Sequence, residues 1–174
     1  MATHAMIDLE TLDVTPRASV LTVGGVKFDP NNDSEPHSEF YYKLDLDSQD
    51  RSVNDDTIAW WATQDTAVQE EAFSEEGRIS LKQALEEMYP IIWNSNFIWA
   101  NGPTFDMNII EHAYKSYDMQ LPWKFYKVRD ARTVYSLWPG LPKQPVSHHA
   151  LDDCRQQIIK LQQTFRHLGV TEIR

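Results

Sequence analysis

The chain has 174 residues, 41% of them hydrophobic, with six Trp, seven Tyr and seven Phe, which is the composition of a folded domain with a real core rather than of a disordered segment. Its formal net charge of −10 argues against a protein that coats long nucleic acid through phosphate contacts. An enzyme that grips only a strand end is still allowed, because bound cations would reverse the sign of an acidic site. Cys154 is the only cysteine, which rules out an intrachain disulfide and a cysteine-based zinc cluster and fits a reducing cytoplasm. No apolar run approaches a membrane span, and a candidate functional acid as early as Asp8 leaves no room for a cleaved signal peptide.

In chain order, residues 4–10 (HAMIDLE) read as a short apolar strand ending in acids. Residues 19–29 are β-branched around a Gly pair, which predicts a second strand with a bulge or bend. Residues 38–46 form a third, and connections of hairpin length make these three antiparallel. Short helices follow over 54–64 and 66–73. Ser80 with Gln83 is a capping box ahead of a helix whose apolar stripe is Leu81, Ala84, Leu85 and Met88. Residues 96–102 are a fourth strand closed by Gly102-Pro103, and Thr104 is placed to cap a helix running to about Tyr117. A fifth strand is predicted over 123–128, Asp130 is a cap for the next helix, and a final helix runs from His149 to His167 with Gly169 as its stop. The layout is one α/β domain over 1–174, a mixed five-stranded sheet of three antiparallel and then parallel strands with helices on both faces.

The acids carry the chemistry. Asp8 and Glu10 are two apart on a strand, so both carboxylates project from one face, and a divalent metal is the usual relief for their repulsion. Asp106 falls in the first turn of its helix, one turn above Ile109 and Ile110, on the core side, where a carboxylate needs a partner. The segment SHHALDDC (147–154) offers two His and two Asp. Leu151, Cys154, Ile158, Leu161 and Phe165 form the buried stripe of the last helix; at about 100° per residue Asp152 points outward and Asp153 lies on the flank. The phase therefore favours Asp153 for a site and Asp152 for solvent. His148 precedes the helix and can reach over a neighbouring site, while His149 begins the helix and packs. His4, His112 and His167 have no partner pattern and read as surface or packing residues.

Taken together, MIDLET with Asp8 and Glu10, NGPTFDMNII with Asp106, and HHALDD with His148 and Asp153 resemble the DnaQ-like, or DEDDh, 3′–5′ exonucleases over about residues 5–160. The five-residue step from His148 to Asp153 is that superfamily's spacing. The Trp60-Trp61 pair in DDTIAWWATQ is similar to a segment of its small phage and prophage exonucleases and related bacterial exoribonucleases. The resemblance implies a ribonuclease H-like fold and a metal-dependent release of nucleoside 5′-monophosphates from the 3′ end of single-stranded RNA or DNA. Asp8, Glu10, Asp106 and Asp153 would hold two Mg²⁺ or Mn²⁺ ions, Glu10 touching both, and His148 would be the general base.

For the substrate, Leu9, Thr11 and Leu12 flank the acids and would touch the terminal sugar and base; Trp61, or else Trp60, would stack on a base, against the competing reading that each is core; Lys143 would meet a phosphate. The resemblance further implies a possible homodimer. Two alternatives stand beside it: a structure-selective endonuclease of ribonuclease H type, which would not need the His five before Asp, and a binding module that recognises nucleic-acid ends without cutting.

Overall fold

A computed structural model describes residues 3–32, 38–143 and 146–173. Its strands are β1 (His4–Thr11), β2 (Val20–Phe28), β3 (Ser38–Lys43), β4 (Ile98–Ala100) and β5 (Val128–Asp130). They form one sheet in the order β3-β2-β1-β4-β5, with β1, β2 and β3 antiparallel and β4 and β5 parallel to β1. The helices are α1 (Asp55–Trp61), α2 (Thr66–Phe73), α3 (Leu81–Ile92), α4 (Pro103–Ser116), α5 (Ala131–Ser136) and α6 (Ala150–Leu168). This is the expected mixed sheet, with helices on both faces.

The period-2 alternation of β1 decides what each face does. Ala5, Ile7 and Leu9 enter a core shared with α3 and α4. Met6 enters a second core with Cys154, Ile158, Leu161 and Phe165 of α6. Asp8 and Glu10 continue the Met6 side, so they emerge where the α6 core ends. α6 can lie this close to the sheet because β2 carries Gly24: a Cβ there would sit 2.4 Å from the backbone of Ala150 and Leu151. Gly24 thus serves a close helix approach and Gly25 leaves room for the Phe40 ring, rather than the bulge or bend expected at the pair. The register slip lies between Glu10, opposite Thr22, and Thr11, opposite Val20.

Several boundaries differ from the sequence reading: β3 ends at Lys43 rather than 46, β4 covers only Ile98–Ala100 of 96–102, and α1 ends at Trp61 rather than 64. The fifth strand is Val128–Asp130, preceded by a 3₁₀ turn over Phe125–Lys127. Trp123 is buried against Tyr114 of α4, so the aromatic run serves as an anchor and a turn rather than a strand. Helix α4 starts at Pro103 with Gly102 as its N-cap and no side-chain cap bond; Pro103 takes the first helical position and leaves Thr104 inside the helix. His149 is the N-cap of α6 rather than its first residue, its Nδ1 accepting from Asp152 N at 3.4 Å. The caps by Ser80 and Asp130 and the left-handed stop at Gly169 (φ 68°) form as read.

Candidate active site

A cleft of about 440 Å³ opens where the C-terminal ends of β1 and β4 meet the first turns of α4 and α6. Asp8, Glu10, Asp106, His148 and Asp153 all line it. Each arrives from a different local device. Strand alternation delivers Asp8 and Glu10. The first turn of α4 brings Asp106, whose Oδ1 accepts from Leu9 N at 3.3 Å, so this carboxylate ties α4 to β1. The first turn of α6 brings Asp153, whose carboxylate also shapes the preceding loop: Oδ1 accepts from Ser147 N and Oγ, both at 2.9 Å, and Oδ2 accepts from His148 N at 3.0 Å. That loop holds His148 at φ 54°, a left-handed conformation uncommon outside glycine, and turns its ring onto the acids. His148 Nδ1 lies 3.8 Å from Glu10 Oε1. Ligand atoms of Glu10, His148 and Asp153 fall within 4.8 Å of one another.

The electrostatics are those of a site short of positive charge. Burial, reinforced by Asp106 and Glu10, pushes the Asp8 carboxyl well above the carboxylate range, against the pull of Gln157, whose Nε2 donates to Asp8 Oδ1 at 2.7 Å. Burial, with Asp153 and Asp106 beside it, raises Glu10 to about 8. Burial raises Asp106 to about 7 despite the backbone N–H groups aimed at it. Gln157 Oε1 is buried without a partner among the described residues, an open acceptor beside the acids. Hard oxygen donors, mutual repulsion and an orphaned acceptor fit a divalent cation of the Mg²⁺ or Mn²⁺ type with its waters.

The model of the Rv2179c-like 3′–5′ exoribonuclease domain matches residues 3–165, a span that contains every one of these groups. The chain belongs to that exoribonuclease domain family. It is a 3′–5′ exonuclease with the ribonuclease H-like fold, as the motif resemblance implied. An exodeoxyribonuclease of Enterobacteria phage T4 is 24% identical, the match covering 93% of this chain and 88% of that one. Among solved structures, exonuclease I from Methylocaldum szegediense superposes with a TM-score of 0.69 at 14% identity, over 96% of this chain and 41% of that one. The nuclease domain of 3′hExo, a DEDDh family member bound to rAMP, gives 0.61 at 14% identity over 99% and 96%. Exonuclease X in complex with 5′ overhanging duplex DNA gives 0.57 at 16% identity over 95% and 93%. The exoribonuclease-family chain thus spans about two-fifths of the larger exonuclease I.

Within this exoribonuclease-family site, the residues expected to touch substrate divide. Leu9 lines the cleft. Thr11 and Leu12 are buried away from it, the Thr11 hydroxyl donating to Asp13 O and Leu12 packing on Leu21 and Trp61. Trp61 is 2% exposed and its indole N–H donates to Thr11 O at 2.9 Å, so it has no face to offer a base; its neighbour Trp60 is 42% exposed and meets the His148 ring edge-on at 5.1 Å. Lys143 is exposed but does not line the cleft; Arg132 and Lys160 do. His149 stacks on Tyr41 at 4.1 Å and lies 3.7 Å from Glu71, a packing role. Asp152 points outward and pairs with Arg155 at 2.8 Å. His4 is buried, accepting from Trp99 Nε1 and held down to about pKa 4 by burial, while His112 meets Arg51 and His167 stacks on Trp138. Sequence reasoning missed Gln157, Arg132 and Lys160. Gln157 and Lys160 had a signal, since they follow Asp153 by four and seven on α6 and share its helix face; Arg132 had none.

Proposed function

We propose that the cleft removes nucleoside 5′-monophosphates one at a time from the 3′ end of single-stranded RNA or DNA, using two divalent cations and His148 as general base. The observation that carries this is the convergence of Asp8, Glu10, Asp106 and Asp153, from three separate elements, on one cleft with the His148 ring. The family's exoribonuclease description and the phage relative's exodeoxyribonuclease activity support both sugars as candidates.

Asp8, Glu10, Asp106 and Asp153 would hold the cations, with Glu10 central because its Oε1 lies 3.8 Å from Nδ1 of the His148 ring. When bound, the cations would supply the positive charge that stabilises the phosphorane-like transition state and the departing 3′ oxygen. The His148 imidazole takes a proton from the attacking water. The new bond is water oxygen to phosphorus, the broken one is phosphorus to the 3′ oxygen, and the shortened strand keeps a 3′-hydroxyl. Leu9 and Phe105, both on the cleft wall, provide apolar surface for the terminal sugar and base, and Arg132 and Lys160 face its phosphates. Trp60 is the stacking surface in place of Trp61.

A 3′-labelled oligonucleotide with Mg²⁺ tests the reading. An exonuclease releases labelled mononucleotide at once; a longer labelled fragment would make the protein an endonuclease, and an intact strand would make it a binder. Matched RNA and DNA strands run side by side assign the sugar. The cytoplasmic location and the homodimer belong to the same proposal; sedimentation at micromolar concentration tests the latter, and a monomer overturns it. Among the described residues no helix is long and apolar enough to cross a membrane.

A further inference from the structure

The 3₁₀ turn before β5 is an anomaly in a chain whose other aromatics mostly fill cores. Phe125 is 84% exposed and Tyr126 60%, their rings 5.5 Å apart and edge-to-face. Phe125 is the most exposed large apolar side chain among the described residues. The turn is braced: Arg129 donates to Tyr126 O at 2.7 Å while its guanidinium lies 3.9 Å over the Phe97 ring, and Lys127 Nζ donates to Ser95 O at 2.9 Å. Charge is concentrated here as well. Lys124, Lys127, Arg129 and Arg132 lie within nine residues of a chain with net charge −10. The one acid among them, Asp130, is engaged with Thr133 N at 3.2 Å and Thr133 Oγ1 at 2.7 Å. β5 is the edge strand of the sheet, and its end leads into Arg132 on the cleft wall.

We infer that the β5 edge is a second nucleic-acid contact, a track for the part of a single strand that lies 5′ to the residues held in the cleft. The occupant follows from charge and shape. Exposed aromatic faces between cations suit bases and phosphates, a pairing that tolerates any sequence. Continuity with the cleft through Arg132 supplies the path. The three residues of β5, about 10 Å of strand, separate the turn from the start of α5 and Arg132, so a strand of two or three nucleotides held in the cleft is the substrate that makes least use of the turn. The inference rests on the cleft taking a 3′ end.

The test uses the full chain, a trinucleotide and a 20-nucleotide strand sharing its 3′ sequence. Two readouts are taken: cleavage with Mg²⁺, and fluorescence anisotropy of the labelled 20-mer in EDTA. The double variant Phe125→Ala/Tyr126→Ala changes only exposed side chains. It raises KM and Kd for the 20-mer roughly tenfold and leaves kcat/KM for the trinucleotide at the wild-type value. Lys124→Glu lowers the salt slope of 20-mer binding by about one or more. Unchanged 20-mer binding overturns the track. So does an equal loss on both substrates, which would place the effect in the fold or the cleft. A wild-type dimer that the double variant dissociates also overturns it, because the turn would then face a second copy of the chain. Wild type that binds the 20-mer through this edge but cleaves neither substrate leaves the track standing and removes the exonuclease reading instead.

Discussion

Asp153 has two tasks. Its carboxylate accepts three hydrogen bonds from Ser147 and His148 and so sets the left-handed turn that aims the His148 ring. It also faces Glu10 across the cleft. Asp153→Asn keeps the shape but removes the charge and turns one of the two accepting oxygens into a donor, so it loosens the His148 turn as well; the rate drops by orders of magnitude and metal binding weakens, while the far-ultraviolet circular dichroism stays native. Asp152→Asn loses an exposed pair with Arg155 and a looser contact with His149 Nδ1 at 3.7 Å, a change of no more than about 0.5 kcal/mol, and keeps a near wild-type rate. An inactive Asp152→Asn beside an active Asp153→Asn would overturn the assignment. The proposed mechanism predicts that His148→Ala abolishes turnover yet retains stabilisation by Mg²⁺, because in it His148 moves a proton and does not hold the ion. His149→Ala retains most activity and loses some stability with its Tyr41 stack and helix cap.

The raised carboxyls predict a pH dependence. Glu10 goes from its ordinary 4.5 to about 8 and Asp106 from 3.8 to about 7 on folding without metal. In that window the native state binds more protons than the unfolded chain, so stability falls as pH rises. The metal-free melting temperature therefore declines between about pH 4.5 and 8, and saturating Mg²⁺ flattens the decline because it binds the deprotonated acids. A metal-free melting temperature that rises across this range would contradict the account.

At the scale of elements, the approach of α6 to β2 sets the site, and Gly24 permits it. Gly24→Ala puts a methyl 2.4 Å from the Ala150 and Leu151 backbone, which has no flexible end to move. The expected cost is about 1–3 kcal/mol, with activity lost through displacement of Asp153 and His148; chemical denaturation with parallel rate measurements checks both. None of this was legible in the sequence, where Gly24-Gly25 reads as a strand defect. What was legible follows short periods. Alternation along β1 paired Asp8 with Glu10, and the 3.6-residue stripe of α6 separated Asp153 from Asp152. Where local pattern competes with packing, the sequence misleads. The run from Trp123 to Val128 has strand composition but is pinned by Trp123 under α4. Trp60 and Trp61 are adjacent and alike in type, and only the fold sends one into the core and the other to the rim beside His148. Lys143 is near His148 in sequence, whereas the cations on the cleft wall come from α5 and from three turns along α6.

For the whole molecule, the net charge of −10 and a nucleic-acid substrate are reconciled by where the charges lie. Four carboxylates are spent on one cleft, and cations gather on its wall and along the β5 edge. The central claim is that those carboxylates are functional only with divalent cations among them. The most direct measurement is release of mononucleotide from a labelled single strand by metal-free protein, in excess EDTA and then with Mg²⁺ or Mn²⁺ restored, with the melting temperature followed in the same samples. The account predicts no release in EDTA, recovery on adding the cation, and a higher melting temperature with recovery. Full activity in excess EDTA would contradict it.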